Sequence, residues 1–132
     1  MPTPRLTSSL AVLVFAQAAH SIEECVGRLW ESHPLAGFVA GLISADLARG
    51  FIIANVLIVA FGVWCVLWPM RRRWRVASAV AWFWVILETV NAIGHSLWSL
   101  FLGQYTPGLA TVPLLILSVW YLARQLQRAR SY

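Results

Sequence analysis

The sequence predicts an all-α integral membrane protein: a bundle of four transmembrane helices, both termini cytoplasmic, with a short re-entrant or interfacial helix between the first two. Three observations lead there. Hydrophobic residues make up 60% of the 132-residue chain and charged ones only 11%, whereas a soluble domain averages about 45–50% and 25%. The 8 Trp and 6 Phe exceed what a soluble core of this length could hide. The apolar residues also fall in runs of span length, and at about 20 residues per crossing the chain has room for one domain with four spans.

The first span is read over residues 6–30. Leu6–Ile22 is apolar, and the helix is expected to run on through Glu23 and Glu24 towards Trp30. Arg5, the Leu10–Ala16 run and Ala16-Gln17-Ala18 also resemble a signal peptide with its cleavage site. A retained helix is preferred, because cleavage there would leave His20 at a free terminus. Leu35–Ala45, between His33-Pro34 and Asp46, is too short to cross, which makes it re-entrant or interfacial. Residues 51–70 form the clearest span, with Asn55 as its one strongly polar member and Pro69 with the following arginines as its stop. Residues 76–102 form the third, closed by Gly103. Residues 107–124 form the fourth, with Pro107 placed in its first turn.

All ten basic residues are arginine, and the formal net charge is +5. They flank apolar runs, as Arg71–Arg75 and as Arg124, Arg128 and Arg130, so topology explains them better than a nucleic-acid partner does. The positive-inside rule puts both groups, and Arg5, in the cytoplasm. Asp46 and Arg49 read as a helix-end ion pair at the outer mouth of the second span. Cys25 and Cys65 are too few for a disulfide scaffold and read as reduced packing residues.

Polar residues interrupt this apolar background in two places, His20-Ser-Ile-Glu23-Glu24 and Glu88-Thr-Val-Asn91-Ala-Ile-Gly-His95. These hold three of the chain's five carboxylates, and an ionisable group in a span marks a functional site by default. At about 1.5 Å rise per residue, His20 and Glu24 lie roughly 21 and 27 Å from the cytoplasmic end of their span. Glu88, Asn91 and His95 lie roughly 18, 22 and 28 Å from theirs, and Asn55 about 22 Å from its own. Three spans thus place polar groups in one layer. At about 100° per residue, Glu88, Asn91 and His95 share roughly a 60° arc with Ser99, while His20, Glu23 and Glu24 span about 100° with Gln17 aligned near Glu24. Interhelical contacts worth about 0.6 kcal/mol each are the plainer explanation of such residues. Six of them in one layer favour a shared pocket.

Acid–base chemistry is the favoured use: Glu23, Glu24 and Glu88 as acid and base, His20 and His95 orienting or shuttling protons, Asn55 and Asn91 placing the substrate. Tyr105 is a candidate donor, and Trp84 and Trp98 flank the polar stripe as candidate walls. Such a site would isomerise or cyclise a lipophilic small molecule entering from the lipid bilayer. No cofactor is required, but iron or zinc on His20, Glu24, Glu88 and His95 is the alternative, making a membrane hydrolase or oxygenase. The Glu-x-x-His spacing of helical-bundle metal sites is missing, since Glu88-x-x-Asn91 carries an amide in the histidine's place. A proton-coupled carrier subunit is the alternative of another class, and it would need a homo-oligomer to enclose a pathway. There is no Walker loop, GxGxxG, GxSxG or HExxH. His33, before Pro34, reads as a loop residue.

With His20-Ser-Ile-Glu23-Glu24 near the end of a first span, the chain resembles the HXXEE family of small bacterial membrane proteins. The Glu88–Asn91–His95 stripe and the Tyr105-Thr-Pro107-Gly108 turn fit the same resemblance. It implies a multi-spanning helical fold in the bacterial inner membrane and a presumed active site, but no particular activity. In its logic the polar layer is loosely similar to membrane sterol isomerases and terpene cyclases, which is an analogy of site type only.

Overall fold

A computed structural model describes residues 4–130, apart from the Arg130 side chain, and every regular element among them is helical. In order these are α1 (Pro4–Val26), α2 (Leu29–Ser32), α3 (Pro34–Ile43), α4 (Leu47–Cys65), α5 (Ala77–Leu102) and α6 (Val112–Arg130). Four helical stretches, Pro4–Val26, Leu47–Met70, Ala77–Leu102 and Leu109–Ala129, are long and apolar enough to cross a membrane. At 1.5 Å per residue they measure roughly 32–39 Å, enough for a hydrocarbon core of about 30 Å. The chain is a multi-pass membrane protein.

Helix α1 is the most enclosed of the four: half of its most apolar window is buried, against 22–33% in the others. It packs on α6 and α4, while α5 packs mainly on α6. Leu6, Leu10, Leu13 and Ala16 of α1 meet Cys65 and Met70, Ala81 and Trp84 of α5, and Leu115, Leu122 and Leu126 of α6. Lipid offers no hydrophobic drive for helices to associate, so close packing has to supply it, and small residues permit that. Gly62 is one such residue, since a Cβ there would lie 2.9–3.0 Å from Val14 and Trp84. Outward-facing Phe15, Val56, Leu57, Leu100, Phe101 and Leu117 present apolar surface, as suits lipid.

Several element ends differ from the sequence reading. Helix α1 stops at Val26, short of Trp30, because Arg28 takes a left-handed φ of 56° and Pro107 crowds the chain at Gly27. A Cβ on Gly27 would sit 2.5 Å from the Pro107 ring. Pro107 therefore lies before the fourth span: a 3-10 turn, Leu109–Thr111, leads into α6, and Pro113 occupies the first turn instead. Asp46 caps α4, accepting the Arg49 backbone N–H at 3.2 Å, so it serves as an N-cap rather than an ion-pair partner and α4 begins at Leu47.

Pro69 does not end α4 abruptly. Lacking an N–H and colliding with the carbonyl four residues back, it widens the last turn into a π-helix over Val66–Met70, with Arg71 N bonded to Val66 O at 3.1 Å. The short apolar stretch after Pro34 is helical as α3 and lies along the start of α4. The approach is so close that a Cβ at Gly50 would be 2.1 Å from the Ala40 carbonyl oxygen.

Candidate functional site

The polar residues gather at the end of α1 remote from the Leu6–Leu10 packing. His20 and Glu24 are one helical turn apart on α1 and so share a face. Across from them stands His95 of α5. The His95 Nε2 lies 2.8 Å from Glu24 Oε1, and the His20 Nε2 lies 3.2 Å from the same oxygen. The two imidazoles meet edge to face with centroids 4.6 Å apart. All three residues are buried, His20 completely. Their donor atoms lie within 4.8 Å of one another.

Glu88, also buried, is held differently. Asn91 Nδ2 donates to its Oε2 at 3.2 Å. With the Gln17 amide turned so that its oxygen accepts from Ser21 Oγ at 3.1 Å, its nitrogen donates to both Glu88 oxygens, at 2.8 and 3.1 Å. One carboxylate thus faces two imidazoles and the other two amides. Both border a cavity of about 500 Å³. Its polar lining is Gln17, Glu24, His33, Glu88, Asn91 and His95, and its walls come from α3 (Leu35, Ala36, Val39), α4 (Phe51, Ala54, Ile58) and α5 (Leu87, Val90). A smaller, almost wholly apolar groove between α5 and α6 reaches Glu88 from the other side, past Ala92, Ile116 and Val119.

Glu23 points away from this cavity. Its Oε1 accepts the Tyr105 hydroxyl at 2.6 Å and the Ala110 N–H at 3.0 Å; its Oε2 accepts the Thr111 N–H at 2.9 Å and the Thr111 hydroxyl at 2.6 Å. It therefore latches the turn that precedes α6. Donation to this carboxylate pushes the Tyr105 phenol up to about 12. Thr111 Oγ1 also lies 2.6 Å from His20 Nδ1, so the latch touches the site from behind. Gly108 of the same turn, at φ 101°, fits against both histidines: a Cβ there would be 2.4 Å from His95 Cε1 and 2.9 Å from His20 Cε1.

Of the residues singled out in the sequence, His20, Glu24, Glu88, Asn91 and His95 come together. Glu23, on its latch, and four others stand elsewhere. Asn55 donates to Phe51 O of its own helix, and its neighbours Ala54 and Ile58 reach the cavity in its place. Trp84 is buried in the apolar core below the site. Tyr105 is exposed and bound to Glu23. Trp98 meets the site through His33, the two rings tilted at 52° with centroids 4.8 Å apart. Cys25 packs with Leu29, Ala40 and Phe51.

His33 is a loop residue as the sequence indicates, and it lines the cavity with a buried Nδ1 that has no hydrogen-bond partner. Its ring lies 6.5 Å from that of His95. Burial first, and His95 second, hold its pKa below the usual range. The signal was the following Pro34, which confines His33 to extended backbone (φ −112°, ψ 113°) and so sets the ring's direction. Thr111 carried no signal of its own.

A family model described as "Protein of unknown function with HXXEE motif" matches residues 11–122. Comparison with curated proteins found no match, and comparison with solved structures found none.

Proposed function

Because the chain belongs to the HXXEE family, with a signature whose Glu24 borders the cavity, whose His20 stands against Glu24 and whose Glu23 secures the turn behind them, we propose that it is a membrane-embedded enzyme that isomerises or cyclises a lipophilic small molecule by proton transfer. The observation that carries this reading is the pair of buried carboxylates held in contrasting ways at the edge of one cavity. Titratable groups in contrasting surroundings are how a site divides acid from base. Glu88, gripped by two neutral amides and facing the cavity, takes the role of general base. The His20–Glu24–His95 cluster opposite supplies the electrophile or acid that stabilises the charge left on the substrate. A volume of about 500 Å³ is within the range of ligand sites, roughly 300–1,000 Å³. Apolar walls suit a hydrocarbon skeleton, and entry between α4 and α5 would let it arrive from the bilayer.

In the membrane we place the four helices as a bundle in the bacterial inner membrane. Arg71–Arg75 and both termini then lie in the cytoplasm, and α3 forms an interfacial or re-entrant lid over an outer-leaflet site. The test lets the membrane's own lipids supply the substrate. Purified protein is incubated with membrane lipid extract in D2O, and the lipids are examined by mass spectrometry. A lipid that gains carbon-bound deuterium with wild type, and not with Glu88→Gln, supports the proposal. Equal incorporation by both proteins, or none by either across extracts of the source membrane, overturns it.

A further inference from the structure

We propose that His20 Nε2, His95 Nε2 and Glu24 Oε1 together bind one divalent transition-metal ion of borderline softness, zinc or ferrous iron. This rests on the preceding reading of the cavity as catalytic and names the electrophile that faces Glu88.

The first argument is a proton count at Thr111. Its hydroxyl has one proton and lies beside two groups that can only accept it, the Glu23 Oε2 at 2.6 Å and the Gly108 carbonyl at 3.1 Å. The third neighbour, His20 Nδ1 at 2.6 Å, must then be the donor. A neutral His20 ring protonated on Nδ1 carries its lone pair on Nε2. That atom is buried and has no hydrogen-bond partner, yet it stands 3.2 Å from a carboxylate oxygen. A lone pair set against Glu24 Oε1 is repulsive unless a cation lies between them. A protonated ring would aim an N–H at the oxygen, but this contact lacks the alignment of a hydrogen bond.

The second argument is metric. Ligands bonded at about 2.0–2.1 Å are separated by roughly 2.9 Å across an octahedral edge and roughly 3.4 Å across a tetrahedral one. The two nitrogen–oxygen separations, 2.8 and 3.2 Å, fall close to these edges, and all three donor atoms lie within 4.8 Å of one another. His20 and Glu24 supply two of the ligands from one turn of helix, and His95 supplies the third from the facing helix.

The third is the support behind the ligand. Metal-bound histidines are oriented by a hydrogen bond from the other ring nitrogen to a carboxylate, a backbone carbonyl or water. His20 has such a chain, through Thr111 to Glu23, and Glu23 is in turn fixed by Tyr105 and two backbone N–H groups. Two imidazoles and one carboxylate favour zinc or ferrous iron over magnesium or calcium, which prefer oxygen donors. Three protein ligands leave coordination positions for water or substrate, as catalytic sites require.

The experiment uses the full chain in detergent. It is purified anaerobically for elemental analysis, stripped with EDTA, then titrated with Zn2+, Fe2+ and Co2+, the cobalt form being followed by its visible absorption. We expect about one ion per chain, lost in His20→Gln and in Glu24→Gln and unchanged in the control Asn55→Leu. Thr111→Val should weaken binding about 10–100-fold, and Thr111→Ser should restore it. The metal retained on purification distinguishes zinc from iron. Folded wild type that takes up no stoichiometric ion overturns the inference, and so does uptake indifferent to the ligand variants. The cobalt spectrum of wild type is decisive even if a variant fails to fold. Absent metal binding with Glu88-dependent deuterium incorporation would defeat this inference alone. Metal binding without incorporation would defeat the proton-transfer reading alone.

Discussion

Replacing Gly108 with alanine would put one methyl group between the two histidines and the turn that backs them. The added Cβ would lie 2.4 Å from His95 Cε1, 2.6 Å from His95 Nδ1 and 2.9 Å from His20 Cε1. Ordinary contact needs about 3.5–4.0 Å, so the His95 ring must retreat by roughly 1 Å. Alanine at φ 101° adds backbone strain of about 1–3 kcal/mol, and overpacking adds about 1–3 kcal/mol more. The expected destabilisation is therefore about 2–6 kcal/mol. At roughly 4 °C per kcal/mol for a chain of this length, thermal unfolding in detergent should begin at least about 8 °C lower. The same retreat would carry His95 Nε2 out of reach of Glu24, so metal uptake should fall by more than about tenfold. If Gly108→Ala unfolds within about 2 °C of wild type and binds zinc equally well, the turn does not press on the histidines and the described geometry is wrong.

Glu23→Gln would keep one acceptor oxygen and turn an amide nitrogen towards a backbone N–H, which can only donate, and a hydroxyl, which would have to reverse its role, while the remaining bonds lose the carboxylate charge. A stability loss of about 2–4 kcal/mol is expected, read as earlier unfolding, together with less loss of deuterium incorporation than in Glu88→Gln. His33 has its folded pKa lowered below the usual value near 6.5, so the unfolded chain binds more protons there. Stability should consequently rise with pH up to about 6.5 and be lost as pH falls below it. Melting at pH 7.5 and 5.5 should show this loss in wild type and a smaller one in His33→Asn. For topology, Arg73→Cys in a chain with Cys25 and Cys65 replaced by serine should be labelled by an impermeant maleimide from the cytoplasmic face only.

Much of the fold could be read in the sequence because crossing a membrane demands about 20 apolar residues, a constraint visible without tertiary contacts. The helix bounds that shifted are those set by another part of the chain: α1 ends where Pro107 meets Gly27, more than 75 residues away. The site was legible where helical periodicity governs it. Glu88, Asn91 and His95 share a face of α5 by arithmetic, and they arrive together. Glu23 and Glu24 are adjacent, so 100° of rotation sends one to the latch and the other to the cavity, and periodicity alone could not say which. Asn55 was at the right depth on the wrong side of its helix, and depth carries no direction. His33 lies outside the spans and Thr111 in the 3-10 turn that opens the fourth, where the α-helical period does not apply.

The tie from Thr111 to His20 also has a consequence in time. Ribosomes deliver α1 before α6, so a nascent chain holds His20, Glu24, Glu88 and His95 before it holds Thr111, the hydrogen-bond partner of the His20 ring. Until α6 is inserted and its leading turn clips onto Glu23, the His20 ring lacks its Thr111 partner. A chain truncated after α5 would therefore carry His20, Glu24, Glu88 and His95 without the turn that braces the His20 ring and holds Glu23.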